Sequence, residues 1–164
     1  MHSITEDNEK SLATGWMQGK LSEEGIKRAL ALRPDLTSRD FDAVFSSDLE
    51  RALQSTELFF DKKFPLFIDW RLRECNYGKF DGLTAKQFKK DREQEYIQAG
   101  YPSGESYMEV GSRMKSFLSD LSRFNYDHIA IVAHQAPQVA LDVILKNQTW
   151  EGAIASDWRK SQSW

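Results

Sequence analysis

An α/β fold, a three-layer sandwich built around a largely parallel central sheet, is what this sequence of 164 residues predicts. Three observations carry that prediction. Short apolar, β-prone runs alternate with segments of helical period. The strongest run, Ile129 to Ala133, is apolar throughout, as a strand covered on both faces should be. Strands joined through helices become parallel neighbours, and the crossover helices then cover both faces of the sheet.

Taken in order, Ser22 has the character of a helix cap, followed by Glu23 and Glu24 in the first turn, where the helix dipole favours negative charge. Ile26, Ala29 and Leu30 form the expected apolar stripe, and Pro34 marks the expected end of this helix. Phe41 to Phe45 reads as a buried strand running into the polar turn Ser46-Ser47-Asp48. Leu49, Ala52, Leu53, Thr56 and Phe60 then recur with the period of an amphipathic helix, and Leu66 to Ile68 is the next strand. Arg71 to Gly82 has neither period and reads as a loop. Thr84 with Gln87, and Ser106 with Glu109, have capping-box spacing, so each should open a helix. The second carries Val110, Met114, Phe117, Leu118 and Leu121 on one face. After the strand 129–133 comes His134, then a helix with Pro137 in its first turn. The polar, tryptophan-rich tail from Thr149 to Trp164 has no assignable element.

The length fits a single domain over 1–164, able to bury a core without disulfides or a structural metal. Apolar residues are 40% and charged residues 29%, outside the range of disordered chains. A net charge of -3 with scattered basic residues carries no nucleic-acid footprint. The lone cysteine, Cys75, allows no internal disulfide and suits a reducing compartment, with the cytoplasm as the expected location. No apolar run approaches the roughly 20 residues of a membrane span, so neither a membrane nor secretion is indicated.

In open α/β sheets ligands bind beyond the carboxyl ends of the strands. Ser46 to Arg51 and His134 both fall there. With His2 and Glu74 they make a candidate set from four separate segments. A transferring phosphoryl group spreads negative charge over its oxygens and needs cationic and N–H donors plus an in-line nucleophile. Two imidazoles and a guanidinium suit that task, and a carboxylic acid can protonate the leaving alkoxide. His134 is the sharpest single signal, because an imidazole buried at a strand end is unfavourable unless it is hydrogen-bonded or functional.

These residues lie in motifs. His2, Thr5 and Asn8 match Arg-His-Gly-Glu-Thr-x-x-Asn after its arginine, and Gly15, Leu21, Gly25 and Ala29 fit the glycine-containing loop and helix that follow. Ser46-Ser47-Asp48-Leu49-Glu50-Arg51-Ala52 matches Ser-Ser-Asp-Leu-x-Arg-Ala. Leu72-Arg73-Glu74 with Gly78 and Gly82, Pro102-Ser103-Gly104-Glu105-Ser106, and Ala133-His134 follow in order. Together they resemble the histidine phosphatase, or phosphoglycerate mutase-like, superfamily. That resemblance implies that His2 becomes phosphohistidine, that Arg51 and His134 bind phosphate oxygens, and that Glu74 is the general acid and then base. It also implies that Asn8 and the Gln135 N–H line the pocket, with no metal or cofactor.

Three departures from the pattern stand out. Met1 occupies the motif arginine's position. Ser3 replaces glycine, adding a Cβ where the backbone of the motif favours freedom. The strand that should lead into His2 is not among these residues, so either upstream residues supply it or the sheet lacks its first central strand. Each backbone group left unpaired inside would cost about 1–3 kcal/mol. The expected function is a metal-independent phosphatase for a small phosphorylated metabolite. The alternatives are a catalytically impaired relative that binds a phosphorylated ligand or a protein partner, and a phosphoglycerate mutase-type transferase, whose usual greater length favours hydrolysis here. The expected partner is the small substrate, with the chain a monomer or homodimer. Substrate choice is expected to lie in 71–80 and 93–101, with Arg71, Arg73 and Tyr77 reaching beyond the phosphate.

Overall fold

The computed structural model describes residues 1–88 and 90–156. Its first element is a single helical turn, α1 (Glu6–Glu9), closed by a capping box in which the Thr5 hydroxyl accepts from Asn8 N–H and the Asn8 carboxamide oxygen accepts from Thr5 N–H. Ser22 caps α2 (Glu23–Ser38) as expected, accepting from Gly25 N–H at 3.1 Å.

Two expectations for α2 are corrected. The helix runs through Pro34 to Ser38 rather than ending there. Pro34 itself is exposed, while the last turns are anchored to the neighbouring chain: Leu32 and Leu36 pack into the core and Arg33 Nε donates to Leu58 O at 2.7 Å. That anchoring outweighs the lost helix bond. The apolar stripe also differs, since Ile26 and Leu30 are 41% and 44% exposed whereas Gly25, Ala29, Leu32 and Leu36 face inward. Gly25 sits on this face because a Cβ there would lie 2.0 Å from Ile4 O. Restoring the missing N–H by Pro34→Ala is expected to stabilise the fold by about 1–2 kcal/mol in urea unfolding, after allowing for the freer unfolded chain. An unchanged or lower midpoint would mean that the helix is kinked to suit the proline.

Next come β1 (Ala43–Ser46), α3 (Glu50–Phe60) and β2 (Leu66–Ile68). The loop 71–82 contains two short 3-10 turns, and α4 (Ala85–Phe88) and a 3-10 stretch at Lys90–Tyr96 follow. Then α5 (Tyr107–Leu121), β3 (Ile129–Val132), α6 (Gln135–Lys146) and α7 (Trp150–Ala155) complete the described chain. The unassigned tail thus begins with a helix capped by Thr149, and its residues 157–164 lie outside the described residues.

The sheet has the order β2-β1-β3, with both pairs parallel, so Ser46 lies opposite Ile68 on one side and Val132 on the other. Alternate residues of β1 feed two cores. Ala43 and Phe45 pack with Val110, Met114 and Phe117 of α5 and Val139 and Ala140 of α6. Val44 packs with Ala29, Ala52, Phe59 and Phe60 of α2 and α3. This is the predicted three-layer α/β sandwich in a reduced form.

Among the described residues, the far side of β3 is bordered just past its end, where His2 N–H donates to Ala133 O at 3.1 Å. Among the described residues no strand pairs with that edge. Ile129, Ala130 and Ile131 are half-buried rather than buried, so water reaches part of this edge and the penalty per unpaired group is smaller than for a closed interior. No helix among the described residues is long and apolar enough to cross a membrane.

Candidate active site

The segment 1–4, the stretch 11–15, the start of α3 and the loop residues Glu74 and Tyr77 surround a cavity of about 390 Å³. His2, Asn8, Arg51, Glu74, Tyr77 and Gln135 line it. His134 stands behind its wall, completely buried, with its ring centroid 4.9 Å from that of His2. Four distant segments therefore converge as the sequence suggested.

Each imidazole is held differently. His2 is half-buried, and its Nδ1 lies 2.7 Å from Ser3 O. A carbonyl only accepts, so Nδ1 carries the proton and Nε2 keeps its lone pair. Burial and the Arg51 charge pull His2 down to about 3, which leaves it neutral across the physiological range. No group among the described residues bonds either nitrogen of His134. Burial, then the charge of Arg51, hold it well below its ordinary value. A completely buried imidazole with both nitrogens unbonded by protein is unfavourable as a structural element, and this is the arrangement expected where a ligand oxygen supplies the missing partner.

Ser3 does not distort the segment that carries His2. Its φ is not positive, its N–H donates to Ser55 Oγ at 2.9 Å, and its hydroxyl donates to Gly25 O at 2.8 Å. The serine thus pins the segment between α2 and α3, and the expected penalty from its Cβ does not arise.

Arg51 is 2% exposed and opens α3 beside the cavity. Its Nη1 donates to Met17 O and Gln18 O at 2.5 and 3.2 Å, and its Nη2 to Gly15 O at 2.8 Å. The guanidinium therefore folds the loop 15–18 around itself as well as charging the cavity wall. Gly15 permits this: its φ is +47°, and a Cβ would sit 1.9 Å from Asp81 Oδ1.

Glu74 is buried, and its carboxylate rests on the N-terminus of α6. Oε1 accepts from Ala136 N–H at 2.8 Å and Cys75 N–H at 2.9 Å, and Oε2 accepts from Gln135 N–H at 3.1 Å. Unpaired N–H groups at a helix start attract anions, and here an internal carboxylate takes them. The Gln135 N–H expected to face a phosphate is thus bonded to Glu74. Asn8 lines the cavity with its oxygen used in the α1 capping box.

The residues expected to reach beyond the phosphate divide. Tyr77 lines the cavity, buried, its phenol pushed well above the usual range by burial. Arg71 and Arg73 do not line it. Arg71 is committed to Asp69 and Asp120, both at 2.7 Å, and Arg73 makes two bonds to Asp48 at 2.6 and 2.7 Å while stacking over Trp16. Each carboxylate neighbour holds its arginine to the surface. Thr14 lines the cavity without having been singled out, beside Gly15 of the glycine-containing loop and the buried Glu93, the first residue of the 93–101 stretch expected to bear on substrate choice. Among the described residues, no three or more His, Cys, Asp or Glu are grouped to hold a metal ion.

Behind Gly15, the half-buried Asp81 leaves Oδ1 without a partner among the described residues. Burial pushes its carboxyl up to about 6, against the pull of the Trp16 and Tyr77 N–H groups and Arg51. The folded state thus binds this proton more tightly than the unfolded chain. The resulting stability is present below the unfolded value of 3.8 and is lost as pH rises through about 6. Asp81→Asn is expected to remove that loss, gaining about 1 kcal/mol near pH 7.5 after solvent screening of a ceiling of roughly 3 kcal/mol. Urea midpoints at about pH 4 and about pH 7.5 check this, and an equal shift at both would contradict it.

A half-buried and a buried imidazole, both neutral, with a buried arginine and an acid beyond the ends of parallel strands, define a phosphoryl-transfer class of site. Comparison with known proteins agrees: residues 2–156 match the model of the histidine phosphatase superfamily, branch 1. The chain belongs to this family. A 2,3-bisphosphoglycerate-dependent phosphoglycerate mutase of Neisseria meningitidis serogroup A is 31% identical over 163 residues, covering 94% of this chain and 70% of the relative. That of Staphylococcus haemolyticus is 30% identical, covering 77% and 59%; of other neisserial mutases it resembles, the chain spans only 40–45%. Among solved structures, a mycobacterial glucosyl-3-phosphoglycerate phosphatase superposes with a TM-score of 0.81 at 27% identity, covering 94% of this chain and 80% of that one. The α-ribazole phosphatase of Shigella flexneri gives 0.77 at 26%, covering 93% and 80%.

Proposed function

We propose that this chain is a single-domain, metal-independent phosphatase that hydrolyses a small phosphorylated compound through a phosphohistidine on His2. The observation that carries this reading is the fixed tautomer of His2 beside a buried His134 whose two nitrogens no protein group bonds. The Nε2 lone pair attacks phosphorus, the bond from phosphorus to the leaving oxygen breaks, and that oxygen takes a proton from the Glu74 carboxyl. Water then attacks the phosphohistidine, Glu74 takes the water proton, and the imidazole departs neutral. Arg51 and His134 balance charge on the phosphoryl oxygens. Asn8 and Gln135 border the same space. The phosphatase structures among the relatives support hydrolysis, and the mutases support the same first half-reaction. Cys75, buried with its thiol pushed up by burial, fits a cytoplasmic setting. We take the chain to act as a monomer or homodimer.

A second reading, a ligand-binding relative of low activity, is favoured by Met1 at the motif arginine and by the commitment of Arg51 to three loop carbonyls. One experiment separates the two. With 4-nitrophenyl phosphate and excess chelator, the phosphatase gives steady turnover, and rapid quenching traps an acid-labile, base-stable phosphoprotein. Turnover that needs added metal overturns the proposal, as does tight phosphate binding with no turnover.

A further inference from the structure

The Pro102–Ser106 motif and a charged residue on the apolar face of α5 play no part in the chemistry above, yet they meet directly behind Glu74. Arg113 is 7% exposed and lies three residues after Val110 and one before Met114 on the buried stripe. Its guanidinium has five N–H groups, and all are used. Nη1 donates to Arg71 O at 2.5 Å and Arg73 O at 2.7 Å, and Nη2 donates to Glu74 O at 2.9 Å and Glu105 Oε2 at 3.1 Å. Nε donates to Glu105 Oε1 at 3.0 Å. Glu105 Oε2 in turn accepts from Asn76 N–H at 2.9 Å, on the other side of the acid. Glu74 O also accepts from Trp16 Nε1 at 2.8 Å.

The regular structure described in the stretch 71–76 is the end of one short turn, Trp70–Leu72. Three of the carbonyls of this stretch, those of Arg71, Arg73 and Glu74, are gathered by the one Arg113 side chain. We infer that Arg113, paired with Glu105, is the positioning residue for the general acid, acting through the backbone that carries Glu74. It does not line the cavity and touches no reacting atom. The inference rests on the proposed phosphatase chemistry, in which Glu74 protonates the leaving oxygen. A guanidinium is required because lysine offers only three donors from one point and cannot span carbonyls of three residues while meeting a carboxylate on two.

The discriminating measurement is leaving-group dependence. Nitrophenolate departs without a proton, whereas an alkoxide needs one from Glu74. In Arg113→Met and Glu105→Gln, kcat/KM on glycerol phosphate is expected to fall about 10²-fold, and kcat/KM on 4-nitrophenyl phosphate less than about tenfold, because kcat/KM reports the steps up to departure of the leaving group, where general acid catalysis is lost. Arg113→Lys restores part of the difference. In a Glu74→Gln background, Arg113→Met adds no further selectivity between the substrates. Equal losses on both substrates, or none on either, overturn the inference and leave Arg113 a structural residue.

Hydrogen exchange of 71–76 gives a readout independent of turnover. It is expected to rise about tenfold or more in Arg113→Met and Glu105→Gln while α2 and α3 stay protected. Unchanged exchange there overturns the inference whether or not the chain is active. Absence of turnover in the unsubstituted chain, with exchange still raised, sinks the phosphatase reading and the acid's role but leaves Arg113 as the clamp on this loop.

Discussion

His2→Ala is expected to abolish chelator-resistant hydrolysis, a fall on the order of 10⁴ or more, since the covalent step loses the imidazole nitrogen that attacks phosphorus. The fold should barely notice. The contact of His2 with β3 is made by its backbone N–H, which alanine keeps, and the deleted ring is half-buried and neutral. The expected change in melting temperature is within a few degrees, and the trapped phosphoprotein disappears. Retained turnover would rule out His2 as the nucleophile and move attention to the neighbouring imidazole.

Arg51→Met should damage both activity and stability. The side chain is about the size of the original, so no large cavity forms. Three bonds to Gly15, Met17 and Gln18 are lost, and carbonyls around a buried position lose their donors. A destabilisation of about 2–4 kcal/mol follows, offset in part by no longer burying a charge without a direct carboxylate partner. Turnover should drop a further 10²–10³-fold, roughly the value of one donor aimed at transition-state charge. Urea unfolding and kcat/KM measured on the same preparation check both. A variant as stable as the parent would mean that the 15–18 loop holds itself.

Much of this was legible in the residues. The two capping boxes at Thr84 and Ser106, the strand at 66–68 and the period through Leu49 to Phe60 are local signals, and the fold uses them. The turn at Thr5 was readable by the same rule, because Asn8 can serve where glutamate usually does. The course of α2 was not, since proline's penalty is local whereas the anchoring of Arg33 and Leu36 comes from α3 and beyond. The site shows the same division. His134 announced itself by following an apolar run, and Arg113 was visible in principle as a charge on the buried stripe of α5. The commitments of Arg71 to Asp120 and of Arg73 to Asp48 span 49 and 25 positions, and no pattern within one segment encodes them.

The seat of Glu74 on α6 has a thermodynamic corollary. The N–H groups of Gln135 and Ala136 can serve the carboxylate or an incoming anion, but not both at once. Every anion that lands there competes with an occupant tethered to the same molecule, whose effective concentration no dilution lowers. Such an anion binds more weakly than a bare helix start would allow, by the free energy of lifting the carboxylate away. By linkage, the anion's arrival loosens Glu74 to the same degree. On the proposed chemistry, a phosphate arriving at the helix start would thereby release the carboxyl that is to hand over a proton.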